Sequence, residues 1–340
     1  MDRLNVAIIG AGAIHGCHVA ALQHTPGVAL RALVDIDADK GAALARRYGC
    51  RFYQDYREML TEMNIDAVHI CTPHHLHREM IIAALAAGKQ VFSEKPVGLS
   101  LAEVAQIREA AAGAKGVLGL CFQNRYNPTS QAIRAQLADG DIGPLRGMKA
   151  SLTWSRGGDY YRPGGWRGRF ATEGGSLLIN QAIHTLDLMQ WFAGGVTRVK
   201  GVVDSTLLSG LIETEDSAMA TLEFSGGAYG VFHATTCYSA DAALSLEIDG
   251  ERGRLRLEEN QLWRITGNAR TLLARDTPPE GDARNYWGDG HRRAIQQFYA
   301  TVRDPTRPVH ISHDDAACSQ AIVEAIYRSS QIRQWISLAQ

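Results

Sequence analysis

Two regimes of hydrophobic patterning divide the chain. From residue 4 to 122, short apolar runs rich in Val, Ile, Leu and Ala alternate with stretches of helical spacing. The runs are Leu4–Ile9, Ala29–Val34, Ala67–Cys71, Gln90–Phe92 and Val117–Leu120, and their continuity suits strands covered on both faces. Between them lie the helical stretches Ile14–Gln23, Asp39–Tyr48, Tyr56–Met63, His77–Ala87 and Leu101–Ala112. Strand alternating with helix predicts right-handed crossovers and a doubly wound parallel sheet.

After Leu120 the apolar runs lengthen and approach period-two alternation. Gly147–Trp154, Val196–Leu207, Ser217–Phe224, Ala228–Thr236, Leu244–Asp249 and Arg254–Glu258 read as strands, joined by turn sequences such as Ser225-Gly226-Gly227. Helices are expected at Ser176–Phe192, Arg292–Val302 and Ala316–Trp335. The expected fold class is α/β plus α+β: a dinucleotide-type domain over residues 1–122, then a domain over 123–340 with a large open, mostly antiparallel sheet.

Composition narrows the function. Thirty-five Lys and Arg against 36 Asp and Glu give a formal net charge of −1, which offers no field to attract nucleic acid or an anionic membrane. No apolar run approaches the ~18 residues of a membrane span. The six cysteines (17, 50, 71, 121, 237, 318) include no C-x-x-C pair, so they read as thiols of a reducing compartment, and a cytoplasmic location is expected.

Gly10-Ala11-Gly12-Ala13-Ile14-His15-Gly16 follows the first strand and opens the first helix. Gly10 permits a tight turn, while Gly12, Ala13 and Ile14 bring backbone N–H groups to a helix start suited to a pyrophosphate. His15 stands where the third glycine of G-x-G-x-x-G would fall. Asp35 ends the second strand, where a carboxylate would hydrogen-bond an adenosine ribose and repel a 2′-phosphate. Asp37 adds to that repulsion, and Arg31 is the nearby cation that could oppose it. NAD is expected over NADP.

Further along stand Cys71-Thr72-Pro73-His74-His75-Leu76-His77 and Ala87-Gly88-Lys89-Gln90-Val91-Phe92-Ser93-Glu94-Lys95-Pro96. With Gln123-Asn124-Arg125-Tyr126-Asn127-Pro128, the run from Gly174 to Asp187, and Glu215-Asp216, the chain resembles the Gfo/Idh/MocA oxidoreductases. The resemblance implies an N-terminal Rossmann domain and a C-terminal open sheet that packs subunits into a homodimer or homotetramer. It also implies NAD(P)-linked oxidation of sugar, sugar-acid, cyclitol or nucleotide-sugar hydroxyls. By the same resemblance Thr72, Pro73, His77, Glu94 and Lys95 join the cofactor site, and Arg125 joins the substrate site. Many members carry Asp where this chain has Asn180.

Oxidising a secondary alcohol needs a hydride acceptor, a base and a group that stabilises developing alkoxide. Asn180 and His184, spaced i and i+4 on one expected helix, project from one face. His184 is assigned as base, Lys95 as alkoxide stabiliser and relay, and Asn180 as a hydrogen-bonding partner of a substrate hydroxyl. Asp187 either orients His184 or faces solvent. The segment from Trp154 to Phe170 is dense in rings and arginines. It reads either as a sugar-pocket loop, with Trp166 stacking and Arg162 and Arg167 holding an anionic group, or as a subunit-interface loop. No metal is expected, since His74, His75 and His77 lack a second ligand cluster. His291, in Trp287-Gly288-Asp289-Gly290-His291, either reaches substrate or packs. Two alternatives stand beside a dehydrogenase: an enzyme with tightly held NAD acting as a redox shuttle, and a non-enzymatic nucleotide-sensing regulator.

Overall fold

The computed structural model describes residues 3–62, 64–162, 164–278, 288–309 and 311–338. Pro163 and Trp287, both named in the sequence motifs above, lie outside the described residues.

The first sheet is assembled from strands with no solvent face. β1 (Leu4–Ile9), α1 (His15–Gln23), β2 (Val28–Val34), α2 (Ala38–Tyr48), β3 (Arg51–Tyr53) and α3 (Tyr56–Leu60) form its first half. β4 (Ala67–Ile70), α4 (His77–Ala86), β5 (Gln90–Glu94), α5 (Leu101–Ala112) and β6 (Leu118–Cys121) form its second. The six strands run parallel in the order β3-β2-β1-β4-β5-β6. The order reverses beside β1, and ligands of such sheets bind at the carboxyl ends of the strands flanking that point. Ile8, Leu33, Val68, Ile70 and Phe92 are fully buried, as all-parallel strands covered on both faces require.

The second sheet has nine strands. After α6 (Pro128–Ala138) come β7 (Leu145–Thr153), α7 (Phe170–Glu173), a π-helical segment Leu177–Ala182 and α8 (Ile183–Ala193). β8 (Val196–Asp204), β9 (Ser217–Phe224), β10 (Tyr229–Thr235), β11 (Ser245–Gly250), β12 (Gly253–Glu258), β13 (Gln261–Thr266) and β14 (Ala269–Arg275) follow. The order is β14-β13-β12-β11-β7-β10-β9-β8-β15, where β15 is Ile336–Ser337. All pairings are antiparallel except β7 with β10, which run parallel from Gly147 opposite Tyr229 to Thr153 opposite Thr235. One face of β9 and β10 buries Ala218, Ala220, Leu222, Phe232 and Ala234, while Met219, Tyr229 and Val231 of the other face are about half exposed.

Two more helices, α9 (Gly290–Arg303) and α10 (His313–Ile332), close the chain. Among the described residues, 3–123 and Asp289–Ala317 form one compact unit; 124–278, Gly288 and Cys318–338 form the other. α9 thus belongs with the parallel sheet, where it packs on α1, β5 and β6. No described helix is long and apolar enough to cross a membrane, and the cysteines form no disulfide among the described residues.

Candidate active site

The glycine turn of the first unit is built as its sequence requires. Gly10 has φ +96°, and a Cβ there would lie 2.7 Å from the Cys71 carbonyl oxygen, so both conformation and space exclude a side chain. At Gly12 the same construction meets nothing nearer than 3.9 Å. Gly12 and Ala13 are exposed, Ile14 is half-buried, and α1 begins without a side-chain cap. This leaves its first N–H groups for an anionic ligand. His15 braces the loop in place of a third glycine: Nδ1 lies 2.5 Å from the Gly12 carbonyl and Nε2 3.1 Å from the Tyr48 hydroxyl.

Asp35 accepts from the backbone N–H of Ala11 (2.7 Å) and of Asp37 (2.9 Å), tying the end of β2 to the glycine loop. A carboxylate has about four acceptor positions, so these bonds leave capacity for a ribose diol. One expectation around it is corrected. Arg31 is exposed and its Nε donates to Asn5 (2.9 Å), away from the Asp35 end of its strand; the cation at Asp35 is Lys40, 3.3 Å away. Asp37 caps α2 by accepting from the Lys40 N–H (3.0 Å), so its carboxylate serves the helix.

The two loop motifs of this unit are clamped to each other. His77 is fully buried, with Nδ1 2.7 Å from the Pro96 carbonyl and Nε2 2.9 Å from that of Thr72. Its ring is therefore a brace beneath the Thr72-Pro73 and Lys95-Pro96 turns. Thr72 and Pro73 are half-buried beside Gly10. Lys95, half-buried, follows the last residue of β5 and forms a cis peptide with Pro96.

Glu94 is buried and accepts from His18 Nε2 (3.0 Å), with His291 Nε2 3.5 Å away. Burial would raise its carboxyl, but the two histidines hold it well below the usual range. His291 therefore packs against Glu94. His18, Glu94 and Cys121 each place one possible ligand atom within 4.8 Å of the others, a cluster that sequence spacing did not disclose. Within this cluster His18 and Glu94 share a hydrogen bond.

In the second unit, the expected single helix from Ser176 to Phe192 is corrected to a π-helical segment running into α8. The π-register comes from Glu215, at the foot of β9, whose Oε1 accepts from the N–H groups of Ser176 (3.2 Å) and Leu178 (2.8 Å). Gly175 (φ +148°) is forced here, because a Cβ would lie 2.0 Å from the Tyr327 hydroxyl. π-turns recur at functional sites. This one carries Asn180, with His184 just inside α8.

Asn180 Nδ2 donates to Glu173 Oε1 (2.6 Å) and to the Tyr160 hydroxyl (3.3 Å). Glu173 is a buried carboxyl raised by burial against opposing bonds from Gly168, Asn180 and Ser176 and the nearby Arg167 charge. A carboxyl thus stands beside residue 180 after all, supplied from seven residues upstream. His184 is nine-tenths buried. Asp187 does not serve it: the Asp187 carboxylate receives Arg125 Nε (2.8 Å), Arg125 Nη2 (2.7 Å) and Ser319 Oγ (2.8 Å). Arg125 is buried in that bidentate pair, 5.3 Å from the Trp191 ring centre.

The aromatic, arginine-rich segment separates into distinct roles. Arg156 is buried on Asp241 (2.7 Å). Arg162 is exposed, with its Nε on the Asp159 carbonyl (3.1 Å). The Arg167 guanidinium lies 4.4 Å from the Tyr160 ring centre and 4.7 Å from that of half-buried Trp166, and its buried Nε has no hydrogen-bond partner among the described residues.

A glycine cradle at the switch of a six-stranded parallel sheet, joined to a second unit that gathers Asn, His and buried carboxyls, defines a nucleotide-linked oxidoreductase. Residues 4–122 match the oxidoreductase family with the NAD-binding Rossmann fold, and residues 130–256 match the GFO/IDH/MocA C-terminal domain. The chain belongs to the Gfo/Idh/MocA family of oxidoreductases, and its first unit is an NAD(P)-binding Rossmann domain.

Among similar proteins, the levoglucosan dehydrogenase of Pseudarthrobacter phenanthrenivorans is 25% identical, covering 100% of this chain and 99% of its own. The myo-inositol 2-dehydrogenase of Thermotoga maritima is 26% identical, with 98% of each chain covered. A levoglucosan dehydrogenase structure in complex with NADH and levoglucosan superimposes with a TM-score of 0.90 at 22% identity over 100% of both chains. The WlbA dehydrogenase from Bordetella pertussis, in complex with NADH and UDP-GlcNAcA, gives 0.85 at 25% identity over 100% of this chain and 99% of its own.

Proposed function

We propose that this protein is a dehydrogenase that removes hydride from a hydroxyl-bearing carbon of a sugar-like or cyclitol substrate, with NAD as the acceptor. The observation that carries the reading is the presence of both chemical sets: Lys95 just after β5, and Asn180, held by Glu173 and Tyr160, with His184 on the π–α segment. His184 takes the hydroxyl proton, and the Lys95 ammonium stabilises the oxygen as negative charge develops. Asn180, oriented by its amide contacts with Glu173 and Tyr160, hydrogen-bonds a substrate hydroxyl. When bound, the nicotinamide supplies the hydride acceptor. The Ala11–Ile14 backbone holds its pyrophosphate, and Asp35 favours the free ribose of NAD.

Relatives that act on levoglucosan, myo-inositol and D-apiose support a polyhydroxylated substrate. Arg167, stacked between two rings with an unsatisfied Nε, supports a carboxylate or phosphate on that substrate. The half-exposed apolar positions of β9 and β10, with Val202 of β8, support assembly of two or four copies through the open sheet face.

The test is a panel of sugars, anhydrosugars, cyclitols and sugar acids, assayed with NAD and NADP. The expected result is net NADH formation with one class, preferably acidic, and a loss of about ten- to a hundredfold in kcat/KM for that substrate in Arg167→Ala. Bound nucleotide without net reduction across the panel would refute the dehydrogenase reading in favour of a closed redox cycle. Equal kcat/KM for a neutral substrate in both proteins would refute the anionic one.

A further inference from the structure

Behind Lys95, inside the Rossmann unit, four buried side chains from distant parts of the chain form one continuous array. Phe92 and Glu94, two apart on β5, point to the face where α1 and α9 pack. His18 Nε2 lies 3.0 Å from Glu94 Oε1, His18 Nδ1 2.8 Å from His69 Nδ1, and His69 Nε2 2.9 Å from the Tyr299 hydroxyl. His18, His69 and Tyr299 are fully buried and Glu94 nearly so.

The direction of this array follows from its far end. The Tyr299 hydroxyl has no hydrogen-bond partner other than His69 among the described residues. If protons pointed away from Glu94, the tyrosine would accept from His69 and its own buried O–H would lack an acceptor, a cost of about 1–3 kcal/mol. In the opposite direction every donor is matched. Tyr299 donates to His69 Nε2, His69 Nδ1–H donates to His18 Nδ1, and His18 Nε2–H donates to Glu94. Burial, the main influence on both histidines, keeps them neutral in that arrangement. Three neutral donors in series therefore end on an ionised carboxylate. Its other near neighbours include the Cys17, Cys71 and Cys121 thiols, each held in the neutral form chiefly by burial and further by the Glu94 charge.

We propose that the Tyr299–His69–His18 array keeps Glu94 as a permanent buried anion at the carboxyl end of β5, and that this charge makes the site favour the cationic, oxidised nicotinamide over the neutral, reduced one. The placement is general to the fold: the dinucleotide crosses the switch at β1, so its nicotinamide half lies over the β4–β6 side. A carboxylate stabilised by neutral dipoles keeps its field, whereas a fixed cation would cancel it; His291, with Nε2 3.5 Å from Glu94 Oε1, offsets that field only when protonated. The proposal rests on the nicotinamide-nucleotide reading of this unit.

Dissociation constants for NAD+ (by calorimetry) and NADH (by its fluorescence) would be measured for the wild type, Glu94→Gln and Tyr299→Phe. Glu94→Gln keeps the side-chain shape and is expected to weaken NAD+ by about tenfold or more, the scale of a buried charge felt at an effective dielectric of about 20, while NADH changes less than about threefold. Tyr299→Phe, which removes only the terminal donor, is expected to move the same ratio in the same direction by a smaller factor. Equal weakening of both nucleotides in both variants would show a packing role and overturn the proposal. An unchanged ratio with unchanged affinities would overturn it as well. Failure of the wild type to bind either nucleotide would instead overturn the nucleotide reading, and this proposal with it.

Discussion

Replacing Glu215 by Gln tests whether a buried carboxyl at the foot of β9 sets the pH range over which the second unit is stable. Burial pushes Glu215 up to about 7 from its ordinary 4.5, even against hydrogen bonds from the Leu178 N–H, Tyr327 and the Ser176 N–H. The folded state therefore holds this proton more tightly than the unfolded chain. The stability it contributes is complete below 4.5 and is lost as pH rises through about 7, where a charge must be kept in a dry site. At about 1.4 kcal/mol per pH unit, the loss between pH 5 and 8 is about 2–3 kcal/mol. Glu215→Gln keeps an oxygen to receive the Ser176 and Leu178 N–H groups and has no proton to lose. Every tryptophan among the described residues (154, 166, 191, 263, 335) belongs to the second unit. Urea unfolding followed by tryptophan fluorescence therefore reports this unit. Wild type and variant should differ in stability by a margin that shifts against the wild type by about 2–3 kcal/mol from pH 5 to pH 8. A margin that stays constant over that range would refute the reasoning.

Lys95→Met should lower kcat about 10²–10³-fold with NAD affinity within a few-fold; near wild-type kcat on the identified substrate would remove Lys95 from the chemistry. Asp35→Asn should weaken NAD about ten- to a hundredfold and narrow its advantage over NADP, and Lys40→Ala should reduce NADP binding further; cofactor titrations showing an unmoved NAD-to-NADP ratio would contradict both. Arg125→Leu strands the buried Asp187 charge and should cost about 3–5 kcal/mol in urea unfolding, most of it recovered when Asp187→Leu is added; a single variant as stable as the wild type would contradict the structural role. Met219→Lys with Val231→Glu should convert an assembly to monomers by sedimentation velocity, and an unchanged sedimentation coefficient would locate the interface elsewhere.

The parallel sheet was legible because its strands are buried on both faces and its glycine turn carries a backbone requirement that no other residue meets. Ser217–Phe224 was legible for the converse reason, since alternate burial imprints period two on the sequence. β14 escaped recognition because none of its residues is buried, so nothing selects one face over the other. β3 is three residues long and too short to carry a period. The π-helical register was invisible because its cause, the Glu215 carboxylate, lies 37 residues beyond Leu178. The pairing of Arg125 was hidden for the same kind of reason: its partner Asp187 stands 62 residues later. Residue type and local spacing reveal which chemistry is available, whereas the partner that consumes it is chosen by the tertiary fold.

α9 has a consequence for the order in which the molecule is made. The parallel sheet is complete in sequence by Cys121, yet His69, Phe92 and Glu94 are covered only when a helix beginning at Gly290 arrives. During synthesis the nucleotide-binding half must therefore wait, with an apolar face and a buried-type carboxylate exposed, while the nine-stranded sheet emerges from the ribosome. Domains usually fold in turn from the N-terminus; here the first to appear is among the last to be finished. A fragment ending near residue 123 would lack that cover and should behave as an aggregation-prone partial fold. The same late closure means that a nonsense or frameshift lesion shortly before residue 290 should strip the first unit of its cover even though all six strands of its sheet are already made.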